Sequence, residues 1–131
     1  MFIVNRTMKV NKEFTDSVLE RLEKPSVISS FDGYLKTEIF VDKKNKEYDV
    51  VLSIIYFKSK TDFYRWEGSP EHIAMHKDKN HQHNKKQEGV IEVTRSSYDH
   101  VQTKHYINKW LLRENPLFRG FFVVILIRMH Q

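Results

Sequence analysis

"YDVVLSIIYF" (Tyr48–Phe57), followed directly by "KSKTDFYRWEGSPEHIAMHK" (Lys58–Lys77), decides the fold. The first run is β-branched and aromatic, and it is apolar on both alternating sets of positions, which predicts a strand covered on both faces. The second run reads as two short helices. Ser59 or Thr61 can cap the first, which contains Phe63 and Trp66. Pro70 lacks an N–H and disfavours helical geometry at Ser69, so the helix breaks there. Ser69 and Pro70 then restart it as N-cap and first helical residue. In the restarted helix His72, Ile73 and His76 share a face, being three and four positions apart.

Outward from this stretch, the pattern is regular. "YLKTEIFV" (34–41) alternates as a strand behind the turn signal "FDG" (31–33), and "KKNKE" (43–47) joins it to the run above as a hairpin loop. "MFIVNRTMKV" (1–10) alternates Phe2, Val4, Met8 and Val10 against Ile3, Asn5, Thr7 and Lys9, again a strand. "NKEFTDSVLERLEK" (11–24) places Phe14, Val18 and Leu22 four apart, an amphipathic helix closed by Pro25. "KDKNHQHNKKQEG" (77–89) is nearly devoid of apolar residues and reads as a mobile loop. "VIEVTRSSYDHV" (90–101) supplies a last strand. The order strand-helix-strand-strand-helix-strand predicts an α+β, ferredoxin-like split βαβ domain over residues 1–101. Residues 102–131 form an extension outside that plan, reading as a short helix before Pro116 and then the β-prone run "FFVVILI" (121–127). Left exposed, that run would invite aggregation.

Bulk properties narrow the chemistry. The chain has 131 residues, enough for one domain core, and no cysteine, which excludes disulfides, thiolate metal sites and cysteine nucleophiles. A net charge of +5 favours anionic partners without choosing among them. No apolar run approaches the ~20 residues that span a bilayer, and the N-terminal residues do not read as a signal peptide, so no membrane insertion and a cytoplasmic location are expected. Third-strand "YDVVLSIIYF" has no glycine and no basic-glycine-aromatic start, which argues against an RNA-recognition domain and against nucleic acid as partner. "HQH" (81–83), with His72 and His76 near it, is a possible non-haem metal cluster, but no Asp or Glu follows at ligand spacing. On spacing alone Trp66 reads as a core anchor and His76 as a surface or hydrogen-bonded histidine.

The set of Asn5 in "VNRTMKV", "FDG" at 31–33, Trp66 and the histidine of "AMHK" ten positions later resembles the staphylococcal-type haem-degrading monooxygenases. These form the iron-regulated surface determinant G group of the antibiotic-biosynthesis-monooxygenase superfamily. The resemblance runs through about residue 101. It implies a homodimer whose sheets close into a dimeric α+β barrel. It further implies haem as substrate and cofactor, opened oxidatively by a haem oxygenase of the staphylobilin type to release iron for acquisition. Dioxygen and an external electron donor, a reductase or ascorbate, are required, since the chain has no nicotinamide or flavin fingerprint. His76 is implied as the axial iron ligand, Asn5 as a distal hydrogen-bond donor toward dioxygen, and Trp66 as the residue that distorts the macrocycle. Arg21 aligns with an arginine of these enzymes and is a candidate for a propionate. The segment before "FDG" is shorter than in the family, and residues 102–131 have no counterpart in it. Two alternatives remain within reach. One is a cofactor-free quinol or aromatic monooxygenase of the same superfamily, which has no need of a ligand at position 76. The other is a non-catalytic haem-binding protein.

Overall fold

Strand β1 (Phe2–Asn11) is followed by a 3-10 turn (Lys12–Phe14), helix α1 (Thr15–Glu23) and a second 3-10 turn (Val27–Ser30). Strands β2 (Tyr34–Asp42) and β3 (Tyr48–Phe57), helices α2 (Lys60–Glu67) and α3 (Pro70–Lys77), and strand β4 (Val90–Asp99) complete the order. This is a computed structural model, and it describes residues 1–78 and 87–110. The chain divides into two units, Met1–His100 and Val101–Gln131. The first holds all the elements above. In the second, the described residues run to Trp110, whose backbone N–H donates to Asn108 Oδ1 at 3.0 Å. The expected strand at 121–127 and the "HQH" loop lie outside the described residues.

The sheet is antiparallel throughout, in the order β2-β3-β1-β4. With its two helical connections this is the ferredoxin-like α+β arrangement that the sequence order predicts. Helix α1 starts later than the sequence pattern suggests, because residue 11 still pairs with Tyr48 and a 3-10 turn intervenes. It stops where expected. Lys24 is extended because Pro25 follows it. At Gly33 the backbone has φ +106, and an added Cβ would lie 2.6 Å from the Asp62 side chain, so the turn into β2 requires glycine.

The helices cover one face of the sheet. On that face two clusters form the core. Phe2, Ile28, Phe57 and Trp66 make one, and Met8, Val10, Val18 and Val51 make the other. On β3 the residues Asp49, Val51, Ser53 and Phe57 are buried there, while Leu52, Ile54 and Tyr56, on the opposite pleat face, are only half-buried. The expectation that both faces of β3 are covered therefore holds on one side within a single chain. Helices lie against that side, and none of the described elements of the first unit forms a layer on the other.

Asp49 pins α1 to the sheet. Its buried carboxylate accepts from Lys12 Nζ at 2.6 Å and from Thr15 Oγ1 at 2.8 Å. The lysine bond, and then the threonine bond, hold its pKa below the ordinary aspartate value. A carboxyl whose pKa is lowered by folding stabilises the fold above its unfolded value of about 3.9 and loses that contribution as pH falls through the lower folded value. Acid titration of the unfolding free energy should therefore show wild type losing stability below about pH 4 more steeply than Asp49→Asn. Parallel acid limbs for the two proteins would contradict this role for Asp49.

Candidate functional site

The break between α2 and α3 is hydrogen-bonded on both sides. Ser59 caps α2, its Oγ accepting from the Asp62 N–H at 3.1 Å, so Ser59 rather than Thr61 fills that position. Ser69 Oγ accepts from the His72 N–H at 3.2 Å and donates to the Trp66 carbonyl at 2.7 Å, with Pro70 as the first helical residue. One buried hydroxyl thus fixes the end of one helix and the start of the next. Ser69→Ala should cost roughly 1 kcal/mol, with 2 as the upper range for a lost N-cap, in denaturant unfolding. An unchanged midpoint would mean that the serine does not hold the break.

Trp66 is 6% exposed and packs edge-on to Phe31, with ring centroids 5.3 Å apart. A second ring against it is that of His72, whose centroid lies 5.1 Å away. His72 Nδ1 is 3.0 Å from the Glu67 carbonyl oxygen, and its Nε2 is 2.9 Å from His76 Nε2. A carbonyl only accepts. In the neutral pair, therefore, Nδ1 of His72 carries the proton, its Nε2 accepts, and His76 Nε2 donates. The shared helix face expected for the two histidines becomes a directed chain: Glu67 carbonyl, His72, His76. Among the described residues no group of three or more His, Cys, Asp or Glu is placed to hold a metal ion.

A cavity of about 810 Å³ lies in the first unit, lined by Ile28, Phe57 and Trp66 of the first core cluster, within the ~300–1,000 Å³ range of ligand sites. Trp66, His72 and Met75 line it from the helices, Phe57 and Ser53 from β3, and Arg21 from α1. Of the residues singled out in the sequence, Trp66 and Arg21 are on this wall. His76 is not a lining residue but is hydrogen-bonded to His72, which is. Asn5 is not brought to the cavity. It shares the opposite pleat face with Thr7, to whose Oγ1 its Nδ2 donates at 3.2 Å, and its Oδ1 is buried without a partner. The strand period explains this, since Phe2, Met8 and Val10 face the helices and odd-numbered residues of β1 must point the other way.

Sequence reasoning missed Arg6 and Arg95, which also line the cavity. The signal was available for Arg6, because it belongs to the alternating set of Phe2 and Met8. Arg95 depended on the β1–β4 register, which no local pattern specifies. His72 was seen to share a face with His76, but not to be the one on the wall.

The antibiotic biosynthesis monooxygenase profile matches residues 1–78. Heme-degrading monooxygenase HmoA of Bacillus subtilis is 30% identical over 77 residues, which are 59% of this chain and 71% of that protein. A heme-degrading monooxygenase of Bacillus anthracis is 29% identical over 76 residues, 58% of this chain and 71% of the relative. The heme degrader MhuD of Mycobacterium tuberculosis, solved with two hemes in its active site, shares the fold. Its TM-score is 0.60 at 15% identity, covering 80% of this chain and 100% of that one.

Proposed function

As this chain belongs to the antibiotic biosynthesis monooxygenase family, we propose that it is a haem-degrading monooxygenase whose site is the cavity walled by Trp66 and His72. The observation that carries the reading is His72 on the wall of a cavity of about 810 Å³, hydrogen-bonded to His76 behind it. The donor set suits haem. It combines an aromatic wall, the imidazole of His72 with His76 hydrogen-bonded to it, and guanidinium groups of Arg6 and Arg21 whose Nε atoms are buried without partners.

In this reading His76 is the iron ligand. His72 accepts the proton of His76 Nε2 and orients the ring, the partner that a ligating histidine ordinarily needs. Trp66, fixed by Phe31 and by the Ser69 bond to its carbonyl, presents a rigid edge to the macrocycle. Arg21 takes a propionate from the α1 side. When bound, haem supplies the oxygen chemistry, and the chain's own work is to hold, orient and partly desolvate it. Electrons come from outside, from a reductase or ascorbate. The released iron would serve iron acquisition. Asn5 faces the other side of the sheet and is given no contact with the ligand.

That other side fits a second copy of the chain. Ile3, Ile54 and Tyr56 are half-buried there, and Phe40 and Tyr98 are 48% and 55% exposed. Packing two such faces would close the dimeric barrel and cover β3 on both sides. Among the described residues no helix is long and apolar enough to cross a membrane, and a cytoplasmic setting is part of the proposal.

Turnover is the test. Protein loaded with haemin and given ascorbate in air should lose its Soret band while a ferrous chelator traps the iron. A Soret band that persists through reduction would leave a haem-binding protein and remove the enzyme.

A further inference from the structure

Arg6 on β1 and Arg95 on β4 are directly opposed in the antiparallel register and both line the cavity. Side chains at such positions have their Cβ atoms roughly 4.5–5.5 Å apart, and like charges placed there destabilise a sheet. Arg21, from α1, lines the same cavity. Among the described residues none of the three forms an ion pair, although the domain pairs other cations readily, as with Lys9 and Glu92. The carboxylates of Glu23 and Glu67 on the cavity are exposed, and among the described residues neither pairs with these arginines. The Nε atoms of Arg6 and Arg21 are buried without a hydrogen-bond partner. A folded domain rarely leaves buried donors and facing cations uncompensated unless a ligand completes them.

We infer that the sheet floor of the cavity is an anion site, in which Arg6 and Arg95, joined by Arg21, bind the carboxylate of a flat apolar ligand. Burial, and secondarily the Arg95 charge, lower the Arg6 pKa, the direction expected for a half-buried guanidinium that faces a second one, the exposed Arg95. Phe57 and Trp66 supply the apolar wall that such a ligand needs next to its charge. Arginine suits the task because its planar fork meets a carboxylate with two parallel bonds. The inference rests on the reading of this cavity as the ligand site. It does not rest on haem.

The test uses two dyes of one shape. Anilinonaphthalene sulfonate is an aromatic anion, and N-phenyl-1-naphthylamine is its neutral parent. The full chain should bind the anion about tenfold more tightly than the neutral dye, the scale of one charge-assisted hydrogen bond. Arg95→Gln and Arg6→Gln should each remove most of that preference while leaving the neutral dye unchanged, and Arg95→Lys should keep part of it. Because the facing charges are strained without an anion, Arg95→Gln should also raise the thermal midpoint of the ligand-free protein. Equal binding of the two dyes by wild type would overturn the site. So would equal weakening of both dyes in the glutamine variants, or a lowered midpoint, since either would make Arg95 a structural residue. Haemin binding is measured separately, so an anion site that fails and a haem site that fails give different results.

Discussion

His76→Ala should abolish the histidine-ligated haem spectrum, whereas His72→Ala should keep a Soret band but bind haem about 10- to 100-fold more weakly. The difference follows from the direction of the chain that the two imidazoles form. His72 is held by the Glu67 carbonyl and accepts from His76, so its removal leaves the ligand in place and takes away what orients it. Removing His76 deletes the ligand itself. Both side chains lie on a helix of two turns whose start is fixed by Ser69 and Pro70, and neither belongs to the buried core, so neither substitution should unfold the domain. The reverse result, with the wild-type spectrum kept in His76→Ala and lost in His72→Ala, would assign the ligand to the histidine on the wall.

Trp66→Ala should destabilise the domain by roughly 3–5 kcal/mol. The indole is buried among Phe2, Ile28 and Phe57, stacks edge-on to Phe31, and has His72 against its other side. A loss of this size is a large share of the ~5–15 kcal/mol that stabilises a typical domain, so Trp66→Ala reads stability first. Trp66→Phe keeps an aromatic ring in the cluster, should cost much less, and is the variant in which binding and turnover can be compared. Binding should survive in it and turnover should slow. A Trp66→Ala protein with an unchanged denaturation midpoint would show that the indole is not part of the core.

The fold was legible because its two periods are clean. Phe2, Met8 and Val10 alternate on β1, Val18 recurs on α1, and Ser69-Pro70 marks the helix break with a cap that the structure retains. The second side of β3 was legible only as an expectation, since covering it takes a surface that the described elements of the first unit do not supply. The site was half legible. Trp66 and Arg21 reach the cavity and His76 stands against its wall, but the residue that faces the cavity from α3 is His72. One helical turn separates the two, and spacing cannot say which of two residues on one face points inward. Asn5 failed to reach the cavity for the opposite reason: strand parity placed it with Thr7, and motif order took precedence over parity. The arginine pair needed the register between β1 and β4, which are distant in the chain and joined by no local pattern.

Titration of the protein with haemin, followed in the Soret region, tests the central claim most directly. A shifted Soret band that saturates with histidine-type ligation, and that is lost in His76→Ala, is the result expected for a haem site at this cavity. A spectrum that remains that of free haemin throughout the titration would contradict it and would leave the cavity to a cofactor-free aromatic oxygenase.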